Sequence, residues 1–293
     1  MRFGIAQIVV LAAFLLPGVP RVYGQAASLA DRDTCPQLED EQNARPEITI
    51  VEVNFSGASQ VSLADQEQIA TSIIKENSRG TILDQVTDEA LERARSGWQD
   101  RGYFKAEVTG DVTTAARTPL SLRLALNVHV DEGQQYRLGG ITFKNNKAIS
   151  NAATLREFFP IKDGDVFSRE RVATGIQKLR TAYAELGYIN FRSIPNTVYD
   201  EEKRLIYLDV DIDEGMQFRV GGVHIVGLSE PRLSKVLAEF SMQRGQVYNG
   251  RIFELFLLKH GDEFHGISGL SRHLDERSGV VTFTFDFRPC LGD

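Results

Sequence analysis

The chain has 293 residues, 42% of them hydrophobic and 25% charged. That is the balance of an ordinary folded protein, which excludes wholesale disorder and suits two or three compact units. Lysine and arginine number 33 against 40 acidic residues, a formal net charge of −7, which argues against a phosphate-binding surface and so against a nucleic-acid partner.

The first two dozen residues differ from the rest. Arg2 precedes the apolar run "IVVLAAFLLPGV" from Ile8 to Val19, and "PRVYGQAAS" follows with small residues at cleavage positions. The run is shorter than the ~20 residues a membrane span needs, and Pro17 sits inside it. It reads as a secretory signal over residues 1–24, cleaved after Gly24 or Ala26, with an uncleaved anchor as the alternative. Either way the protein is expected to be exported. Gln25 to Pro46 is polar, lacks apolar periodicity and reads as a flexible leader over residues 25–46.

The first unit, residues 47–133, opens with a strand in which Val51, Val53 and Phe55 alternate. Ser62 with Asp65 forms a capping box for one helix, and Thr87 begins a second on which Leu91, Ala94 and Trp98 share a face. Gly102 ends that helix, "YFKAEV" is the next strand, and Leu126, Val128 and Val130 alternate in the last.

The second unit, residues 134–215, repeats this order. "YRLGGITFKN" (Tyr136 to Asn145) is a strand whose paired Gly139 and Gly140 mark a bulge or a close approach. Ser150 is placed to cap a short helix carrying Leu155, Phe158 and Phe159. Ser168 caps a longer one, on which Val172, Ile176, Leu179 and Tyr183 make one face. Gly187 stops that helix, "YINFRS" starts a strand, "DEEK" turns it, and Leu208, Val210 and Ile212 alternate with Asp209, Asp211 and Asp213 on the return.

The third unit, residues 216–293, is a divergent copy. Val223 and Ile225 open it, Leu233, Val236, Leu237 and Phe240 mark its first helix, and "RIFELFLLKHG" is a shortened second helix. Val281, Phe283, Phe285 and Phe287 share one face of its final strand.

The repeat is written most plainly in "DEGQQYRLGGITF" (Asp131 to Phe143) and "DEGMQFRVGGVHI" (Asp213 to Ile225), which agree at seven of thirteen positions and lie 82 residues apart. Each copy is a junction: the last strand of one unit ends at "DEG" and the next unit's first strand begins within about six residues, so neighbouring units should hold a preferred angle.

With these residues in hand, the chain resembles the polypeptide-transport-associated (POTRA) family. The resemblance rests on the β-α-α-β-β order, the "GD.F" turn of Gly164, Asp165 and Phe167, the second helix ending in Tyr183, Gly187 and Tyr188, and the terminal "V.V.EG" strand. It is strong from 134 to 215, good from 47 to 133 and weaker from 216 to 290. It implies an α+β fold, a tandem array of three small units, each a three-stranded sheet covered by two helices. It also implies the periplasmic arm of an outer-membrane assembly or two-partner secretion protein. Family members usually continue into a transmembrane barrel, which this sequence does not, so a separately encoded barrel is the expected docking partner.

No residue set points to an enzyme, a metal or a cofactor. "HGDEFH" (His260 to His265) fits no zinc spacing and reads as a solvated turn. His129 and His224 read as ordinary strand positions. Asp209, Asp211 and Asp213 project in parallel and cannot wrap an ion, so they read as a wet face. Cys35 and Cys290 sit near opposite ends. Three units in a row span about 90 Å, and an extended Cys35–Ile48 segment reaches at most about 45 Å. A bridge within one chain thus needs a bent array, while an intermolecular bridge or two free thiols does not.

The remaining candidate is backbone. An edge strand keeps unpaired N–H and C=O groups on which another strand can form, and such pairing would bind unfolded outer-membrane or secreted clients without demanding one sequence. The resemblance implies that the exposed edge follows the second helix: Phe104, Lys105, Ala106, Glu107 and Val108 in the first unit, and Tyr188, Ile189, Asn190, Phe191, Arg192 and Ser193 in the second. Proline at Ala106 or Phe191 is expected to weaken client binding, and Pro195 to limit how far the second edge can pair. The leading expectation is a periplasmic adaptor or chaperone-like module at the outer membrane. The alternative is a structural scaffold of an envelope complex of the division type.

Overall fold

The computed structural model describes residues 46–75, 79–260 and 269–288. The expected signal, nearly all of the leader, Cys35 and Cys290 lie outside them.

The first unit runs β1 (Glu47–Ser56), α1 (Leu63–Lys75), β2 (Arg79–Gly80), α2 (Leu83–Gln99), β3 (Glu107–Arg117) and β4 (Ser121–Asp131). The second runs β5 (Arg137–Lys144), α3 (Ala152–Glu157), α4 (Arg169–Glu185), β6 (Arg192–Asp200) and β7 (Leu205–Asp213). The third runs β8 (Arg219–Val226), α5 (Arg232–Glu239), α6 (Gly250–Lys259), β9 (Gly269–Asp275) and β10 (Val280–Asp286). This is the expected α+β array, with one addition: β2 extends the first sheet to the order β2-β1-β4-β3. The other two sheets are β5-β7-β6 and β8-β10-β9. In each, the last strand in sequence lies at the centre, parallel to the first and antiparallel to the one just before it.

Each sheet has its own core. Trp98, Ile73 and Leu126 are fully buried in the first, Leu138, Leu179 and Tyr183 in the second, and Phe218, Val281 and Phe285 in the third. Phe55 meets Trp98 edge to face at 4.9 Å, and Phe253 stacks on Phe283 at 4.1 Å, the geometries that ring quadrupoles favour.

A shared irregularity sits in every first strand. The register slips between Ile50 and Glu52, between Leu138 and Gly140, and opposite Val281 and Thr282. Val51 is the extra residue in the first unit. Ile48 and Ile50 therefore face the core before the bulge, and Val53 and Phe55 face it afterwards, which breaks the simple alternation of Val51 with Val53. In the other units Gly139 and Gly221 occupy this place, as bulge or close approach required. A Cβ on Gly139 would stand 2.6 Å from the Tyr207 ring, and one on Gly221 2.4 Å from Val280 Cγ1, far inside van der Waals contact.

Several element boundaries differ from expectation. The second helix begins at Leu83 rather than Thr87, whose hydroxyl instead donates to the Leu83 carbonyl within the helix at 2.9 Å. Asn151, not Ser150, caps α3, its side chain accepting from Ala153 N–H at 2.9 Å. Leu237 is 41% exposed, because α5 is only eight residues long and turns Val236 inward. The capping box holds: Ser62 Oγ accepts from Asp65 N–H at 3.2 Å and donates to the Asp65 carboxylate at 2.6 Å.

Candidate functional site: the sheet edges and the joints beside them

Asp131 and Asp213 each accept from the backbone N–H two residues on, at 3.3 and 3.1 Å, closing a turn in which Gly133 and Gly215 have φ of 64° and 67°. That left-handed conformation suits glycine. The glutamate between them points inward. Glu132 accepts from Ser59, Gln60 and Val61 N–H at 2.9, 2.6 and 3.0 Å and from the Trp98 indole at 3.0 Å. Glu214 accepts from Ala148 N–H at 2.7 Å and from the Tyr183 hydroxyl at 3.1 Å. The phrase therefore ties three things at one point: the end of the central strand, the loop after the first strand, and the second helix. Burial pushes the Tyr183 hydroxyl well above its ordinary value. In the third unit Phe287 follows Asp286 in the glutamate's place and packs on the core.

From this point the chain enters a joint built twice from corresponding residues. The Gly102 carbonyl accepts from Tyr136 N–H at 2.8 Å, and the Gly187 carbonyl from Phe218 N–H at 2.9 Å. Gln135 and Gln217 donate their side-chain amides to the carbonyls of Arg101 and Leu186, both at 2.9 Å. Gly102 and Gly187 have φ of 88° and 90°, and a Cβ on them would stand 2.7 and 2.8 Å from Val166 and Val247 of the following unit. Helix ends meet as well. Asp100 accepts from Glu170 N–H at 2.5 Å and Asn249 donates to the Glu185 carbonyl at 2.9 Å. Burial pushes the Asp100 carboxyl up, partly offset by that backbone donor.

The residues expected to open the edge strands lie largely in these joints. Phe104 packs edge to face on Phe167 at 5.1 Å, in the second core. Lys105 pairs with Glu201 and stands 4.8 Å over the Tyr199 ring, and Glu201 also accepts from the Tyr136 hydroxyl. The hydrogen bond to Glu201 raises the Lys105 ammonium, the bond from Lys105 lowers the Glu201 carboxyl, and burial pushes Tyr199 up to about 12. Ala106 is buried in a turn closed by its N–H on the Tyr103 carbonyl at 3.0 Å. In the second unit Tyr188 meets Tyr183, Ile189 packs on the third core, and Asn190 donates to Glu276 at 3.4 Å. Phe191 is buried and stacks on Tyr183 at 4.3 Å. Only Glu107, Val108, Arg192 and Ser193 belong to strands. The expected strands thus begin three or four residues too early, because a helix exit with the same alternation is used to bury side chains in the joint. Proline at Ala106 or Phe191 would break that turn rather than test an edge.

The edges themselves are β3 and β6, with β9 in the third unit. No other strand pairs with their outer sides among the described residues. The opposite edges are partly covered at their start: β2 pairs with Thr49 and Ile48, Val166 bridges Arg137, and Val247 bridges Arg219. Pro195 sits within β6 opposite Val210.

The acidic face of β7 is used internally. Asp209 pairs with Lys144 and accepts from Thr142 at 3.0 Å, Asp211 accepts from Asn145 at 2.7 Å, and Asp213 closes its turn. His260, read as part of a solvated turn, is instead buried at the end of α6, 4.9 Å from the Phe256 ring and with Nε2 3.1 Å from the Glu239 carboxylate. The remainder of that cluster, residues 261–265, lies outside the described residues.

A run of β-α-α-β-β units, joined tail to head and each offering one outer strand, defines a class of modular repeat proteins. Residues 136–215 match the model of the POTRA family, "Surface antigen variable number repeat", so the chain carries a POTRA-type domain over those residues. It is 25% identical over 228 residues to a putative outer membrane protein assembly factor of Treponema pallidum, covering 71% of this chain and 26% of that protein. It is 26% identical over 220 residues to the outer membrane protein assembly factor BamA of Neisseria meningitidis, covering 68% of this chain and 26% of that one. The chain therefore spans about a quarter of the length of these curated relatives. Its fold matches the crystal structure of POTRA domains 3–5 of BamA from Haemophilus influenzae, with a TM-score of 0.61 and 20% identity, over 82% of this chain and 96% of that one.

Proposed function

We propose that the chain is a non-enzymatic adaptor in outer-membrane protein assembly or secretion. It works in the periplasm beside the outer membrane and holds extended client strands, or a separately encoded barrel protein, by adding their backbone to its sheet edges. The observation that carries this reading is the recurrence of an outer strand that, among the described residues, is paired on one side only, in units otherwise closed by buried cores and hydrogen-bonded joints. A backbone edge recognises extended chain through N–H and C=O groups that every client possesses. The likeness to outer membrane assembly factors supports the setting.

The test is a crosslinked pull-down of the chain from its native envelope, with partners identified by mass spectrometry. Recovery of a barrel-assembly protein or of unfolded outer-membrane clients is the expected result. Recovery of division or cell-wall proteins in their place would overturn it in favour of an envelope scaffold.

A further inference from the structure

The three outer strands are not equivalent, and the difference lies in which way their backbone groups turn. In an antiparallel pair, alternate residues direct both N–H and C=O at the partner strand, and the residues between direct both away. The second sheet allows these two sets to be told apart. Arg137 N–H donates to the Arg204 carbonyl at 2.9 Å, so in the central strand β7 the even-numbered residues from Ile206 onward face β5. The odd-numbered residues then face β6, where their partners are Asp200, Val198, Asn196, Ile194 and Arg192. The backbone groups of Ser193, Pro195, Thr197 and Tyr199 accordingly turn outward. Proline has no N–H, so the free edge of β6 lacks its donor at the second of four positions. The β6–β7 ladder loses nothing, which is why the proline is tolerated there.

The first sheet sorts in the same way. Glu47 N–H donates to the Leu120 carbonyl at 2.9 Å and Thr118 N–H to the Ser121 carbonyl at 2.8 Å. The residues of β4 that face β3 therefore pair with Glu107, Thr109, Asp111 and Thr113. Val108, Gly110, Val112 and Thr114 turn outward, and all four have an N–H. The register slip between Thr114 and Ala116 ends this regular stretch. Protein edges are commonly shielded by lysine, proline or inward charge, and between Val108 and Thr114 the sole charged residue is Asp111. The two faces along β3 also differ: Val108 and Val112 lie toward the core beside Leu91, while Glu107, Thr109, Asp111 and Thr113 are exposed.

We propose that Pro195 closes the β6 edge to strand addition, so that of the first two units only the first takes a client, at Val108–Thr114. The segment it takes is extended and amphipathic, with apolar residues on the side next to Val108 and Val112 and polar residues on the side next to Thr109 and Thr113. This rests on strand addition as the mode of binding. Pro195 is then a specificity residue: it fixes which edge is used without touching the segment bound there.

The experiment uses the full chain and a synthetic peptide of about nine residues with strictly alternating apolar and threonine positions, read by amide hydrogen exchange and by titration. The peptide is expected to slow exchange at Val108, Gly110, Val112 and Thr114 and to leave Ser193, Thr197 and Tyr199 unchanged. Pro195→Thr restores the missing donor, and the expected result is one equivalent of peptide more than the unaltered chain binds, with new protection at Ser193, Thr197 and Tyr199. Val112→Pro gives β3 the same defect that Pro195 gives β6, one missing outward donor with the β3–β4 ladder spared, and the expected result is loss of peptide binding and of protection at Val108, Gly110 and Thr114. Protection of β6 in the unaltered chain, or no further equivalent bound by Pro195→Thr, overturns the role of Pro195 while leaving strand addition standing. Binding that protects no edge amide, or no binding by any variant, overturns strand addition itself and this proposal with it.

Discussion

Glu132 accepts four hydrogen bonds inside the first unit, three from the loop after β1 and one from the indole of Trp98. Burial alone would raise its carboxyl, but the Trp98 indole and the three backbone donors override that and hold it below the ordinary glutamate range. A depressed folded value means that the carboxylate adds stability above its unfolded value, and that this contribution is lost as the pH falls through the folded one. Trp98 is the chain's single tryptophan, so its fluorescence isolates this unit. Glu132→Gln faces backbone donors with an amide that has lost one acceptor, and should cost about 2 to 3 kcal/mol. It should also flatten the loss of stability below about pH 4.3. Urea unfolding at neutral and acid pH, followed by Trp98 emission, checks both. Stability equal to that of the unaltered chain would show that the four bonds do not act as this geometry requires.

Among the second helices of the three units, α2 stands apart at its start. Ser168 and Asn249 cap α4 and α6 by accepting from Arg171 and Ile252 N–H at 3.2 and 3.0 Å, whereas Ile82 heads α2 with no side-chain hydrogen bond. Ile82 is 43% exposed, so replacing it forfeits little burial. Ile82→Asp should raise the stability of the first unit by about 1 kcal/mol through an accepted hydrogen bond and a charge aligned with the helix dipole. A lower midpoint in thermal unfolding would refute this.

This same helix marks the boundary of what the sequence reveals. Its apolar face is legible, because Ala94 and Trp98 recur at helical spacing and both are fully buried. Its start is not, because the helix begins without the polar cap that sequence reading relies on. Strand exits mislead for a related reason. "YFKAEV" and "YINFRS" look like strands, but Phe104 and Ile189 are spent on the neighbouring unit's core, and no local pattern distinguishes burial under a sheet from burial in a joint. The buried roles of Glu132 and Glu214 had a trace in the repeated "DEG", though their partners in the preceding loops and helices, from 31 to 73 residues earlier in the chain, had none. The direction of backbone groups along β3 and β6 follows from hydrogen bonds to a third strand, which no single-strand pattern encodes.

At the scale of the whole molecule, the joints decide how the units move together. Each has a glycine with φ near 90° whose absent Cβ leaves room for a valine of the next unit, so Gly102→Ala and Gly187→Ala meet both backbone strain and a clash. Each should loosen its own joint while leaving the three cores folded. Distances between spin labels placed on adjacent units are expected to broaden across the altered joint alone. Unchanged distributions would mean that the aromatic and helix-end contacts hold the angle without the glycine. The first joint has the ion pair of Lys105 with Glu201, where the second has the neutral donor Asn190 on Glu276. Both partners of that ion pair are well exposed, so it adds little to the stiffness at physiological salt.

The central place of each unit's last strand governs when a unit can exist during synthesis. Ile48 and Leu122 are partners across 74 residues, and Leu138 and Ile206 across 68. The first strand and the next-to-last have no common neighbour until the last one arrives, so the sheet's middle is the final part delivered. Contacts this distant in sequence are slow to form, and the helices must wait beside an unfinished sheet. The "DEG" turn and the next unit's opening strand follow within a few residues of that final strand. A unit's closure and the setting of its angle to the next are therefore nearly one event, and an array made in this order acquires its shape one bend at a time.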